Sequence, residues 1–250
     1  PIGDDASSEV AAILRDHAGV MWVGTDTGVV RLGEGKRRRF GVRDGLVDAS
    51  VHALMVAKNG DVWAGSKAGL SRIRGDQVRS YTHADGLPRG RVRAIHQAPD
   101  GKIWVGTYGG GLARVGEARL AQVNSRHGLG ENYVSRILPD ATGRWWMLGN
   151  RGLYAAQWRD LNAVAEGRSQ TLACTTVREA EGMTEGNGGA SPAGWALRSG
   201  VLYLPTVDGL ARFDPRAIRV DDVPPKTHIE RISRADDQEI QPLSGRALLP

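Results

Sequence analysis

The chain has 250 residues, a formal net charge of +5 at pH 7, 40% hydrophobic residues and 34 glycines. That hydrophobic content is enough to bury a core and excludes disorder, while so many glycines are typical of short strands joined by tight turns. The single cysteine, Cys174, excludes an intrachain disulfide. No apolar run approaches the roughly 20 residues that a membrane-spanning helix needs.

Basic residues are dispersed along the chain, apart from one short run. A basic balance can indicate a nucleic acid or a membrane surface as partner. We interpret the run as the exposed end of a strand, and predict no nucleic-acid partner and no membrane contact within this chain. The run consists of Lys36, Arg37, Arg38 and Arg39.

One pattern recurs with a fixed period. It reads Trp-Val-Gly-Thr from Trp22 and from Trp104, and Trp-Ala-Gly-Ser from Trp63, with less complete versions at Trp146 and Tyr203. Trp22 and Trp63 are 41 residues apart, as are Trp63 and Trp104. A constant spacing of this size indicates a repeat architecture, with repeats centred on these five residues.

Each repeat predicts four strands in order. A first strand ends in a polar turn with glycine, the tryptophan strand follows, and a second glycine turn leads to a third strand in which arginine alternates with apolar residues. A fourth, polar strand precedes Asp-Gly-Leu or a variant of it. First strands are predicted at 9–14, 51–56, 92–96 and 133–138, and third strands at 29–32, 70–73, 112–115 and 210–213.

Four strands per repeat, with the last one polar, is typical of a propeller blade whose first strand lines the axis. A helical solenoid is excluded because no repeat carries an apolar stripe of period 3.6. The fourth repeat is about a dozen residues longer than the others. Its surplus, 158–167, predicts a short helix between the third and fourth strands, with an outer strand at 172–177.

These residues resemble the two-component regulator propeller repeat, which is found in extracytoplasmic sensor regions of bacterial hybrid histidine kinases and of some diguanylate cyclases. Asp85-Gly86-Leu87, Val92, Asp100-Gly101 and Trp104–Thr107 match the pattern of that family. The resemblance covers roughly residues 8 to 235. It implies an all-β propeller of four-stranded blades. We expect the five repeats to belong to a larger ring of about seven blades, and a closed ring of five blades is the alternative.

The resemblance also implies a domain order. Propeller blades are expected over 1–220, and a linker with the first strands of a truncated β-sandwich over 221–250. The linker is proline-containing, and a new strand is expected at 227–232. Because neither terminus looks natural, we expect the chain to be a piece of a longer protein.

By this resemblance the chain is a non-catalytic, periplasmic, ligand-sensing portion of a transmembrane sensor histidine kinase or diguanylate cyclase. The output domain and the membrane segments would then lie outside it. The expected ligand is a small molecule or an oligosaccharide, no cofactor is expected, and homodimerisation is expected through the full-length protein.

The candidate binding residues lie on one predicted face. The turn between the second and third strands of a blade opens on the same face as the crossover to the next blade. Residues there vary between repeats while the frame stays constant, which favours a binding role over hydrated loops. The candidates are Asp26, Lys67, Arg89, Arg91, Tyr108, Asn132, Arg151, Asn187 and Asp208.

Other assignments are less favoured. The recurrence of Trp22, Trp63, Trp104 and Trp146 at one repeat position predicts packing between blades rather than sugar stacking. The histidines fall at unrelated repeat positions, so no metal site is predicted. Asp100 begins a segment that resembles the Asp-box turn of sialidases. A propeller-scaffold glycosidase or lyase is therefore one alternative, although no carboxylate pair stands out, and a protein-interaction scaffold is another.

Overall fold

The computed structural model describes residues 9–33, 35–116, 120–177, 193–217, 232–233 and 239–240. The chain divides into two compact units, Pro1–Pro215 and Arg216–Pro250. The described part of the second unit consists of Arg216 and Ala217 and of one short pair of strands, Ile232–Ser233 and Glu239–Ile240. Most of the strand predicted at 227–232 lies outside the described residues. No described helix is long and apolar enough to span a membrane.

The described residues of the first unit form five antiparallel sheets and one α-helix. Sheet 1 contains β1 (Val10–Arg15), β2 (Met21–Thr25), β3 (Gly28–Gly33) and β4 (Lys36–Phe40). Sheet 2 contains β5 (Val51–Val56), β6 (Val62–Ser66), β7 (Leu70–Arg74) and β8 (Gln77–Tyr81). Sheet 3 contains β9 (Val92–Gln97), β10 (Ile103–Thr107), β11 (Gly111–Arg114) and β12 (Ala121–Val123).

The fourth and fifth sheets complete the unit. Sheet 4 contains β13 (Arg136–Pro139), β14 (Arg144–Leu148), β15 (Leu153–Gln157) and β16 (Thr175–Val177), with helix α1 (Trp158–Ala165) inserted before β16. Sheet 5 has three described strands, β17 (Trp195–Ala196), β18 (Leu202–Thr206) and β19 (Gly209–Phe213). Strands pair in sequence order within each sheet. The predicted fold class, an all-β propeller of four-stranded units, is confirmed.

Three element boundaries differ from the prediction in the fourth repeat. The first strand begins at Arg136 rather than at Tyr133, because Tyr133 makes an isolated bridge to Tyr108 of sheet 3. The outer strand begins at Thr175 rather than at 172. The predicted helix is present and ends at Ala165. It is anchored by Arg114, whose guanidinium donates to Asn162 Oδ1 at 2.7 Å.

The core lies in layers between neighbouring sheets. One layer joins Trp22 of sheet 1 to Val62 of sheet 2, the next joins Trp63 to Ile103 of sheet 3, and a third contains residues of sheets 3 and 4. Trp104 belongs to that third layer and meets Trp145 edge-on, with ring centroids 5.3 Å apart. The tryptophans of the repeat thus pack between sheets, as the recurrence of this residue predicts.

The glycine in the middle of the tryptophan strand sets how closely the sheets approach. A Cβ atom there would collide with a valine at, or two residues before, the start of the first strand of the next sheet, since real Cβ contacts essentially never fall below 3.0 Å. The distance from the added Cβ atom to the Cγ1 atom of the valine would be 2.9 Å for Gly24 and Val51, 2.6 Å for Gly65 and Val92, and 2.5 Å for Gly106 and Val134. We call these three contacts the glycine–valine pairs.

The hydroxyl after that glycine closes the turn into the third strand. Thr25 Oγ1 donates to the carbonyl of Gly28 at 3.1 Å, and Thr107 Oγ1 donates to that of Gly111 at 2.9 Å. In sheet 4 this position is Gly149, and the buried Glu131 carboxylate replaces the hydroxyl by accepting from the next two backbone amides.

The Asp-Gly-Leu motif turns the chain from one sheet to the next. Asp85 Oδ2 accepts from the Thr82 amide at 2.7 Å and caps a single 3-10 turn. Gly86 ends that turn at φ 94°, in the left-handed region that glycine adopts without strain. Leu87 is then buried between sheets 2 and 3. Every residue of the motif therefore has a structural role.

The outer faces of the first and fifth sheets are exposed. Leu210 is 69% exposed, whereas Leu70 and Leu112 at the same repeat position are fully buried by the following sheet. Met21 is 37% exposed, whereas Val62 at the same position is fully buried by the preceding sheet. Within the described residues, each end sheet therefore has one apolar face that lacks the neighbour its equivalents have.

Candidate ligand site in the axial cavity

The first strands of the five sheets surround a cavity of about 630 Å³, which we call the axial cavity. Cavities of 300 to 1,000 Å³ are typical of small-molecule sites. Its wall contains Val10, Ala11, Ala12, Ile13, Leu14, His52, Ala53, Leu54, Arg93, Ile95, Ser135, Arg136, Ala193 and Trp195.

Bulges in the first strands of sheets 1, 2 and 3 each place one extra residue in the cavity wall. The pairing register shifts between Val51 and Ala53 and again between Val92 and Ala94, so that His52 and Arg93 are the extra residues of two β-bulges. A β-bulge commonly re-aims a side chain in this way. Ala11 is the extra residue in sheet 1, and Ser135 occupies the same repeat position in sheet 4.

Arg136 breaks the repeat at the next position. Ala12, Ala53 and Ala94 stand there in the first three sheets, each paired with a glycine of the second strand. Arg136 instead pairs with Leu148. A long cation thus extends into the cavity wall at a position where the repeat otherwise has a methyl group.

Two polar atoms of this wall are buried without a hydrogen-bond partner. They are Arg136 Nε and Ser135 Oγ, and Ser135 is only 2% exposed. A buried polar atom left without a partner costs about 1–3 kcal/mol, and each such atom in a native structure calls for an explanation. Both atoms could donate a hydrogen bond to a bound molecule.

The electrostatics of the wall are one-sided. Burial lowers the pKa of the Arg136 guanidinium, and burial followed by the charge of Arg91 lowers that of Arg93. Burial also lowers the pKa of His52, and the charges of Arg91 and Arg93 reinforce this. None of the described lining residues is acidic. The cavity therefore presents cationic and donor groups to whatever occupies it.

Some of the predicted crossover-face residues come together. Arg89 and Asn132 line a smaller cavity of about 290 Å³. Beside it, the Tyr108 ring meets Tyr133 edge-on at 4.5 Å, and the Tyr108 amide donates to the Arg91 carbonyl at 2.9 Å. The charge of Arg91 also reaches His52 in the axial cavity. Four of the nine predicted residues are thus near neighbours between sheets 2, 3 and 4.

The remaining predicted residues that the structure describes line neither the axial cavity nor the smaller one. Asp26, Lys67, Arg151 and Asp208 lie on the second turns of their own sheets, and neither cavity has them in its wall. Asn187 lies outside the described residues. A binding role for these five residues stays a prediction.

The residues that sequence reasoning missed are His52, Arg93, Ser135 and Arg136. The first strands were assigned to the axis, but variable positions were sought only in the turns. Two signals were available in an alignment of the repeats: the bulge position changes from Ala to His, Arg and Ser, and the next position changes from Ala to Arg.

A family model for the two-component regulator propeller matches residues 5–27 and 86–109. No curated protein shows significant sequence similarity to the chain. Among solved structures, virginiamycin B lyase from Staphylococcus aureus is 16% identical with a TM-score of 0.55, over 82% of this chain and 69% of that one. The extracellular domain of the hybrid two-component system BT4673 from B. thetaiotaomicron is 13% identical with a TM-score of 0.50, over 92% and 40%.

A third solved structure is PorZ, a bacterial surface component of the type-IX secretion system of Porphyromonas gingivalis. It is 16% identical, with a TM-score of 0.58, over 84% of this chain and 32% of that one. At these identities the likeness establishes the β-propeller fold. The chain spans well under half of the length of PorZ and of the BT4673 domain.

Proposed function

Because the chain carries two-component regulator propeller repeats, we propose that it is the ligand-sensing part of a bacterial signalling protein and performs no catalysis itself. The observation that carries the proposal is the axial cavity, whose wall takes residues from the first strand or its flank in all five sheets. A ligand bound there would be able to contact all five sheets at once.

Signal transfer follows from that placement. The sheets are held together by layers of buried side chains and by the close approach of the glycine–valine pairs. A ligand that bridges several first strands would favour one relative placement of the sheets over others. The group formed by Arg89, Arg91, Tyr108 and Asn132 would then lie at the crossover-face approach to this site.

The location and the output are further parts of the proposal. An extracytoplasmic, periplasmic position is supported by the likeness to an extracellular domain of a two-component system. Membrane segments and a kinase or cyclase domain would belong to the rest of the protein. The exposed faces at Met21 and Leu210 support a larger ring, in which further sheets of the same type cover both ends.

An enzyme on this scaffold is a less favoured alternative. The likeness to a lyase concerns the fold alone. Glycoside hydrolysis generally needs two carboxyl groups facing each other across the scissile bond. The described wall of the axial cavity contains no carboxyl group. Binding without turnover is therefore the reading that the site geometry favours.

A thermal-shift screen of small molecules and oligosaccharides on this chain tests the proposal. We expect hits that raise the unfolding temperature and that are recovered unchanged after incubation. Ala53→Leu is the variant that tests the cavity itself. The fold should accept the larger side chain, because the same repeat position in sheet 4 already holds Arg136. This variant should fold, fill part of the cavity and lose the hits.

Two results would contradict the proposal. Chemical turnover of a hit would make the chain an enzyme. Hits that bind Ala53→Leu as well as the unaltered chain would place the binding site elsewhere and leave the axial cavity without a sensing role.

A further inference from the structure

The polar groups of the axial cavity are concentrated on three adjacent sheets. His52 comes from sheet 2, Arg93 from sheet 3, and Ser135 and Arg136 from sheet 4. The contribution of sheet 1 to the wall, from Val10 to Leu14, is entirely apolar. The cavity thus has one cationic, donor-rich side and one apolar side.

We infer that the axial cavity binds a small organic anion, with its oxyanion group held between Arg93 and Arg136 and hydrogen-bonded to the Ser135 hydroxyl. The apolar body of the ligand would lie against Leu14, Leu54 and Ile95. This inference rests on the proposed function and specifies the ligand class for the same site.

The charge of the ligand is argued from Arg136. A buried guanidinium is costly unless an anion or several acceptors accompany it, and the repeat shows that a methyl group is sufficient at this position. The Nε atom of Arg136 has no acceptor, and the described lining offers no carboxylate to supply one. An oxyanion fits the planar donor array of a guanidinium and would satisfy Nε.

Ser135 supports the same conclusion independently. Its hydroxyl is buried, has no partner, and stands at the bulge position that carries His52 and Arg93 in the preceding sheets. Three successive sheets therefore place a donor-capable side chain at one structural position. Such convergence of a few polar groups in an otherwise apolar wall is what orients a small ligand.

The size and remaining wall of the cavity favour an organic rather than an inorganic anion. A volume of about 630 Å³ is far larger than a sulfate or phosphate ion. The rest of the wall is built from aliphatic side chains and Trp195, a residue that is 59% exposed. A ligand with both a charged group and an apolar body would use both sides.

The test uses three probes on the whole chain: benzoate, its neutral isostere benzamide, and inorganic sulfate. Binding is followed by isothermal titration calorimetry and by tryptophan fluorescence, since Trp195 lines the cavity. We expect benzoate to bind with a Kd of about 1 mM, as its small number of atoms permits, and to bind at least about tenfold more tightly than benzamide or sulfate.

The key variant is Arg136→Ala, which restores the residue that the first three sheets carry and should therefore fold. We expect it to weaken benzoate binding by at least about tenfold. The matched control is Arg37→Gln, which removes the same charge from the exposed strand β4, far along the sheet from β1. Its affinity for benzoate should equal that of the unaltered chain.

Three outcomes would overturn the anion inference. Benzamide binding as tightly as benzoate, with Ala53→Leu abolishing both, would leave the sensing proposal standing and refute the ligand class. If Arg37→Gln and Arg136→Ala weakened benzoate binding equally, the affinity would depend on the net charge of the protein and not on a contact with Arg136. Failure of all three probes would refute the inference, while the wider screen would still decide whether the cavity senses a ligand of another class.

Discussion

The indole N–H of the repeat tryptophan is hydrogen-bonded in some sheets and buried without a partner in others. Trp146 Nε1 donates to Asp140 Oδ2 at 2.8 Å, and Trp22 makes the same bond to Asp16. In sheets 2 and 3 the position of that aspartate is occupied by alanine, and the indole nitrogens of Trp63 and Trp104 are buried without a partner. One repeat position therefore varies between a hydrogen-bonded and an apolar form.

We expect Asp140→Ala to lower the free energy of unfolding by about 1–3 kcal/mol. The carboxylate also accepts bonds from Thr142 and from the Arg144 amide, so that its loss removes the acceptor for a whole turn. Asp140→Asn is the matched control and keeps one carbonyl oxygen as acceptor. Urea denaturation of the three proteins measures the difference. Equal stability of Asp140→Ala and the unaltered chain would show that sheet 4 tolerates the alanine form as sheets 2 and 3 do.

His96 makes stability depend on pH. Burial, and then the nearby Arg136 charge, lowers the pKa of His96 to about 4 from its ordinary 6.5. Between pH 6.5 and 4 the unfolded chain therefore binds a proton that the folded chain does not, and the free energy of unfolding falls as the pH is lowered through this range. His52, whose pKa is also lowered, contributes with the same sign.

We expect the contribution of His96 to the free energy of unfolding to fall by at most about 2 kcal/mol when the pH is lowered from 7 to 5. His96→Gln removes the titrating group, so the variant should lose less stability over that interval than the unaltered chain. Urea denaturation at the two pH values measures both. Parallel losses in the two proteins would refute the assignment to His96, whose ring lies 5.0 Å from that of Trp145.

At the scale of elements, the glycine–valine pairs determine how closely one sheet packs against the next. We expect Gly106→Ala to destabilise the protein by about 2–4 kcal/mol, because the new methyl group would meet both the Val134 side chain and its backbone carbonyl at 2.7 Å. Gly41→Ala is the matched control, since Gly41 has a negative φ and an added Cβ would have Asp44 Oδ2 as its nearest neighbour at 3.9 Å, an ordinary van der Waals contact. Thermal unfolding of both variants checks this.

A second substitution sharpens the same test. Val134→Ala removes the side-chain half of the collision, and we expect it to recover part of the loss when it is combined with Gly106→Ala. A Gly106→Ala variant as stable as Gly41→Ala would mean that sheets 3 and 4 can separate slightly without cost.

The elements were predictable because their signals are local. Alternation of arginine with apolar residues and the glycine turns located β5 and β7 to within a residue. The close sheet contacts at the mid-strand glycines and the bulges were not predicted, because both depend on the neighbouring sheets and not on the local sequence. The start of β13 was misplaced for the same cause: Tyr133 has a strand-like sequence but pairs with Tyr108 of another sheet.

At the scale of the whole first unit, the sequence predicted the propeller class through its period but not the axial cavity. A repeat period identifies the residues that occupy equivalent positions in the five sheets. The chemistry of the cavity depends on the few positions at which one sheet has a different residue type, such as Arg136 where the first three sheets have alanine. The turns, which vary most, attracted the prediction of a site, whereas the bulge residues vary inside strands and were taken as frame.

The exposed end faces have a consequence for how the unit comes apart. A sheet such as sheet 2 is packed on both sides, while sheets 1 and 5 each have one bare apolar face. Where stability is a sum of nearest-neighbour contacts, the ends of the series fray first. Amide hydrogen exchange should therefore be graded along the chain, with the slowest exchange in β6 and β10 and progressively faster exchange in β2 and β18. Uniform protection across these four strands would instead mean that the five sheets open as a single cooperative block.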